Sequence, residues 1–228
     1  MQFINIVVLP LLEGLLYTFL FFIITLIASL PLGLLISFGS KSKILPIRWA
    51  VRCLVWVIRG TPLMLQILFL ITAPGLLSQV LGLGFRFAIR EQWQYFMMVC
   101  VAFTINYSCY FSEIYRGGIQ SVPAGQYEAA QVLGMTKSQT FSKVIFLQVV
   151  KRIVAPMSNE IITLVKDTAL SSVAIHLDMF TVAKEIVNLQ PKYFLWPLVL
   201  SAAFYLIFNG IVTVLLGKLE KKLDYFKV

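Results

Sequence analysis

Three ionisable side chains fall inside an otherwise apolar stretch, Ile153–Ile175: Glu160, Lys166 and Asp167. At about 100° per residue on a helix they gather with Asn159, Thr163 and Ser171 into a wedge of roughly 140°. Ile161, Ile162, Val165 and Ala169 cover most of the other side. Charges arranged in this way can pair with each other, or with Arg59, Glu113 or Arg116, and only hold a bundle together. They can instead line a path for a polar solute. Glu160 and Asp167 stand about 10 Å apart along such a helix, which divides the wedge by depth. Asn159, Glu160 and Thr163 are assigned to a solute path, with Glu160 meeting an ammonium or a cationic side chain. Lys166 and Asp167 are assigned a structural or gating role. An acidic group on a path favours cationic over anionic solutes.

Residues for other chemistry are scarce. The single histidine, His176, lacks the further donors that a metal site needs. Cys53, Cys100 and Cys109 lie in or beside apolar runs, without C-x-x-C or Cys/His spacing, and read as packing residues. No nucleophile elbow, paired histidine motif or G-x-x-x-x-G-K-[ST] phosphate loop occurs, so neither a membrane enzyme nor ATP binding of that kind is supported. Asn106, Tyr110 and Glu113 recur at helical spacing and read as hydrogen-bonding groups between helices, with lining of the path as the alternative.

The elements that position the wedge must lie in lipid. Of 228 residues, 59% are hydrophobic and 13% charged, and the mean hydropathy is +0.87. Soluble domains run near about 45–50% and 25%. A soluble enzyme could not hide this much apolar surface, and disorder requires low hydrophobicity. The formal charge of +9 comes without an aromatic-interleaved basic patch, so it points to membrane topology rather than nucleic acid.

Five spans are expected within one membrane domain, 1–228, at about 14–40, 53–80, 92–112, 153–175 and 193–217, each near the roughly 20 residues that a crossing needs. The second is read through Arg59, and the fourth carries the wedge. The first basic residue is Lys41, so the N-terminal run reads as a retained span rather than a cleavable signal. One side of the membrane holds Lys41, Lys43, Arg48 and Arg52, then Arg116, Lys137, Lys143, Lys151 and Arg152, then Lys218, Lys221, Lys222 and Lys227. The other holds Arg86, Arg90, Lys184 and Lys192. This bias places the N-terminus outside and the C-terminus in the cytoplasm. Trp93, Tyr95, Tyr193 and Trp196 read as interface anchors, and Pro31, Pro62 and Pro156 as kinks. No internal repeat is visible, and an odd span number excludes two equal inverted halves.

The cytoplasmic connection, residues 113–152, has its own punctuation. Pro123 suits a first helical position, Gln126–Leu133 is helix-compatible, and Gly134 is a natural stop. Thr136-Lys137-Ser138-Gln139 fits a capping box. The expected product is a short helix, a sharp turn, and a second helix feeding the fourth span. Ala129 and Ala130 are small enough for a partner to approach the backbone closely.

Glu128-Ala129-Ala130 followed by Gly134 resembles the EAA loop of ATP-binding-cassette importer permeases, and more narrowly the polar amino-acid uptake permeases. Three further segments resemble that family in order: Arg59-Gly60-Thr61-Pro62-Leu63, Glu113–Ile119 with Ser121–Gln126, and Asn159-Glu160 with Lys166-Asp167-Thr168-Ala169-Leu170. Phe146-Leu147 stand where the family usually has Leu-Pro, and Ala169 where serine is frequent. The resemblance implies an all-α, type I importer permease in a prokaryotic plasma (inner) membrane, not itself an enzyme. It implies a second permease subunit, identical or a sister chain, and ATPase subunits that bind ATP and Mg. An external solute-binding protein would deliver a polar amino acid. Glu128, Ala129, Ala130, Gly134, Met135 and Thr136 would couple to the ATPase. Arg59 and Thr61 join Lys166 and Asp167 as gating or structural residues. A self-contained secondary transporter or channel is the alternative, though no filter-like repeat is present.

Overall fold

The computed structural model describes residues 1–82, 89, 91–174 and 177–223. These are helical almost throughout, and no strand occurs among them. The central pair is α1 (Leu9–Ser40), continued backwards by a π-helical turn, Ile4–Val8, and α4 (Gln92–Gln120). Beside Leu11, Phe21 and Phe22, the buried residues of α1 are small: Gly14, Thr18, Thr25, Ser29, Gly33, Ser37 and Ser40. Small residues let helices in lipid close to short distances. A Cβ on Gly33 would stand 2.9 Å from both the Phe111 Cβ and the Ser108 carbonyl oxygen, so glycine is required by α4 itself. The two helices point the same way. Phe21 meets Phe103 edge-on at 4.7 Å, and further along the Ser108 hydroxyl donates to the Ser29 carbonyl at 3.3 Å.

The expected second span, 53–80, is not one helix. α2 (Leu45–Gly60) and α3 (Leu63–Val80) are separated by extended backbone at Thr61 (φ −116°, ψ 146°) and Pro62 (φ −63°, ψ 133°). Proline disfavours helical backbone in the residue before it, which ends α2. Hydropathy does not register this break.

The connection after α4 contains α5 (Ala124–Val132) and α6 (Lys137–Thr140). A π turn, Phe141–Ile145, then leads into α7 (Phe146–Asp167), and a 3-10 turn follows, Thr168–Val173. With Leu147 in place of proline, the backbone N–H at that position is available, and the chain is helical from Lys137 to Asp167, with Pro156 inside α7. α7 runs antiparallel to α4. Arg152 Nη1 donates to the Ser121 carbonyl at 2.6 Å at one end, and Tyr107 meets Asp167 at the other.

α8 (Met179–Leu189) is a short helix that buries one face, Met179, Thr181, Ala183 and Ile186, and is capped by Asp178, which accepts from the Phe180 and Thr181 amides at 3.1 Å each. α9 (Trp196–Leu223) runs in the direction of α1: Leu200 and Phe204 pack near Val7 and Leu11, and Phe208 lies 5.3 Å from Phe22. Tyr193 is buried against Phe3, with ring centroids 5.6 Å apart. Trp93 and Trp196 are exposed. His176, Arg86 and Arg90 lie outside the described residues.

Among the described residues, four helical segments are long and apolar enough to cross a membrane: Ile4–Ser40, Leu63–Val80, Gln92–Gln120 and Trp196–Leu223. α7 is of comparable length but carries Lys151, Arg152, Glu160, Lys166 and Asp167, and is not among them.

Candidate functional site

The break between α2 and α3 leaves helix-end carbonyls without partners. Gln66, in the first turns of α3, supplies them. Its amide nitrogen lies 2.7 Å from the Ile58 carbonyl, 3.0 Å from the Thr61 carbonyl and 2.8 Å from the Thr61 hydroxyl. Its amide oxygen accepts from Asn106 Nδ2 of α4 at 3.0 Å. One side chain thus ties the Arg59-Gly60-Thr61-Pro62 joint to the central helix. Sequence reasoning did not single out Gln66, because one amide in an apolar run has no periodic signal.

Beside that joint the Arg59 guanidinium sits 5.0 Å over the Tyr110 ring and 4.0 Å from Glu113. Glu113 also takes Arg116, whose Nε lies 3.0 and 3.1 Å from its two oxygens. Arg116 Nη1 continues to Gln120 at 2.6 Å. The Glu113 carboxylate therefore faces cations from α2 and from the end of α4 that leads into α5. Lys41, just after α1, lies at the same end. Burial and the Arg116 charge hold its ammonium below the usual lysine range.

The wedge on α7 divides. Asn159 and Thr163 are exposed on the surface of the chain, on one face with Pro156 and Lys166. The Thr163 hydroxyl returns to the Asn159 carbonyl at 2.9 Å. Glu160 is half-buried and makes no hydrogen bond among the described residues; the charges acting on it are Arg59 and Asp167. Asp167 accepts from the Tyr107 hydroxyl at 2.7 Å instead of pairing with Arg59 or Arg116. Lys166 lines a cleft of about 380 Å³ between α7, α8 and α9, with Ala169, Phe180, Leu198, Ser201, Ala202 and Tyr205. Arg59, Glu160 and Asp167 are thus drawn into one seam along α4, while Asn159, Thr163 and Lys166 face outward.

The EAA segment is built as a rigid projection. α5 starts one residue later than expected, with Pro123 as its cap. It ends at Gly134, whose φ is +69°. The Met135 amide reaches back to the Ala130 carbonyl at 3.0 Å and the Gly134 amide to Gln131 at 2.9 Å, closing a left-handed helix stop. The capping box forms: the Thr136 amide donates to Gln139 Oε1 at 2.9 Å, and the Gln139 amide to the Thr136 hydroxyl at 3.3 Å. Val122, Ile145 and Val149 form a small separate core, and Gln148 donates to Gln126 at 3.0 Å. Ala130 is buried, and Glu128 and Ala129 are exposed. At the tip Val132 is 88% and Leu133 77% exposed. These two aliphatic side chains stand bare at the end of the turn.

A family model described as a binding-protein-dependent transport system inner membrane component matches residues 29–225. The chain is 33% identical to the L-cystine transport system permease protein TcyB of Bacillus subtilis (strain 168), over 93% of this chain and 86% of that one. It is 30% identical to the putative glutamine transport system permease protein GlnP of Rickettsia bellii (strain RML369-C), over 92% and 91%. Among solved structures it is similar to an amino acid ABC transporter with histidines, at a TM-score of 0.80 and 30% identity, over 93% of this chain and 94% of that chain. Since the matched segment takes in the joint, the seam and the projecting loop, the chain belongs to the binding-protein-dependent transport system inner membrane component family, the membrane permease subunits of ATP-binding-cassette importers.

Proposed function

We propose that this permease crosses the membrane five times, N-terminus outside and C-terminus in the cytoplasm, and imports a polar amino acid handed over by an external binding protein. α7 is the fifth crossing. α1, α4 and α9 share one direction, so the chain must return between α4 and α9, and α7 is the long helix antiparallel to α4 there. An ionised residue at mid-membrane costs about 2.5–3.5 kcal/mol on insertion scales. The outward face of Asn159, Thr163 and Lys166 therefore turns towards a second permease subunit, another copy or a sister chain, with the solute path between them. Asn159, Glu160 and Thr163 line that path. Glu160 meets the α-ammonium common to amino acids, or a cationic side chain. Lys166 and Asp167, with Arg59 and Thr61, hold or gate it.

ATP and Mg are bound by separate ATPase subunits that grip Glu128, Ala129, Ala130, Gly134, Met135 and Thr136. The observation that carries this assignment is the exposed Val132–Leu133 tip on a loop fixed by its own core and a glycine stop. Leu133→Asp places a charge in the docking contact. The ATPase subunits then no longer co-purify with the permease, while Lys137→Gln, on the polar side of the same loop, retains them. Co-purification of the ATPase with Leu133→Asp at the native ratio contradicts the assignment.

A further inference from the structure

α2 carries a feature that the solute path does not use. Arg48, Trp49, Arg52, Cys53 and Trp56 line a surface cleft of about 390 Å³. Arg48 and Arg52 stand one turn apart, and Trp49 and Trp56 two turns apart, so each pair shares a face. Trp49 is 68% and Trp56 77% exposed. The Arg48 side chain makes no hydrogen bond or ion pair among the described residues, and Arg52 spends only its Nε, on the Ser40 carbonyl at 3.2 Å. No aspartate or glutamate occurs between Glu13 and Glu91. Lys41, Lys43, Arg48 and Arg52 are therefore not offset by any acid of α2 or α3.

Indole rings favour the headgroup level of a bilayer, and clustered cations on an amphipathic helix attract anionic lipid. Guanidinium groups match phosphate oxygens in pairs. We propose that this cleft seats an anionic phospholipid of the leaflet on the coupling-loop side. Its phosphate lies between Arg48 and Arg52, and its glycerol and upper acyl chains lie along Trp49 and Trp56. The assignment of that leaflet as the cytoplasmic one rests on the orientation proposed above.

The test uses the permease with its ATPase subunits in phosphatidylcholine nanodiscs and reads tryptophan fluorescence. A minor fraction of brominated phosphatidylglycerol quenches severalfold more than the same fraction of brominated phosphatidylcholine. The excess disappears in Trp49→Phe/Trp56→Phe, which locates it on α2. It disappears in Arg48→Gln/Arg52→Gln and persists in Arg48→Lys/Arg52→Lys. Equal quenching by the two lipids in the unmodified protein overturns the proposal, as does an unchanged excess in the double glutamine variant. Loss of the excess on adding soluble glycerol phosphate overturns it too, because the cleft would then bind a free anion. Sidedness labelling of the loop fails or succeeds independently of these readings, so an error in orientation is separable from an error about lipid.

Discussion

Tyr107 and Asp167 lie on antiparallel helices and share a 2.7 Å hydrogen bond, the phenol donating to the carboxylate. The bond joins α4, which leads into α5, to the end of α7, where the helix tightens to a 3-10 turn. Tyr107 is itself buried, packed between Phe103 and Phe111. The contact locks the end of α7 far from the loop.

Removing that donor while keeping the ring leaves a half-buried carboxylate short of a partner, at about 1–3 kcal/mol. Tyr107→Phe is expected to lower the melting temperature of the purified complex, with Tyr110→Phe changing it less. Equal melting temperatures for Tyr107→Phe and the unmodified protein would show that Asp167 does not depend on this bond.

Glu160 has no hydrogen-bond partner among the described residues, which suits a group that meets a passing solute. Glu160→Gln is expected to reduce uptake of a cationic amino acid on the order of tenfold, about 1.4 kcal/mol, while the ATPase still co-purifies. Uptake into vesicles at the native rate takes Glu160 off the path.

A Cβ at Gly134 would meet nothing within 4 Å, so the position is held by its φ of +69° alone. Left-handed backbone costs a side chain about 1–2 kcal/mol, and more when it is β-branched. Gly134→Val should abolish binding-protein-stimulated ATP hydrolysis, and Gly134→Asn, which tolerates this backbone better, should keep most of it. Full stimulation in the valine variant removes the turn from the coupling route.

The coupling loop was the most legible part of the chain because its signals are local. A proline, a glycine and a Thr-x-x-Gln pair each act within four residues, and all three fall within a residue of their expected places. The seam was only half legible. Glu160 and Asp167 stand out as charges in an apolar run, but their partners are fixed by helix pairing: Asp167 meets Tyr107, sixty positions away, and Gln66 meets Asn106 across forty. The second span was misread as continuous because hydropathy averages over Thr61-Pro62, whose effect is on backbone angles. α8 escaped notice because a helix of 11 residues is too short to stand out as a span.

The proposed orientation is testable residue by residue in a Cys53→Ser background, since Cys53 is the exposed native cysteine. Lys137 and Lys184 are both exposed. Lys137→Cys should react with a membrane-impermeant maleimide only in inside-out vesicles, and Lys184→Cys only in right-side-out ones. Labelling of both from the same side rules out α7 as a crossing.

Reconstitution tests the central claim most directly. The permease is placed in liposomes with and without its ATPase subunits, with binding protein and amino acid outside and ATP inside. Accumulation of the amino acid is predicted only when the ATPase subunits are present. Accumulation against a gradient by the permease alone contradicts the account.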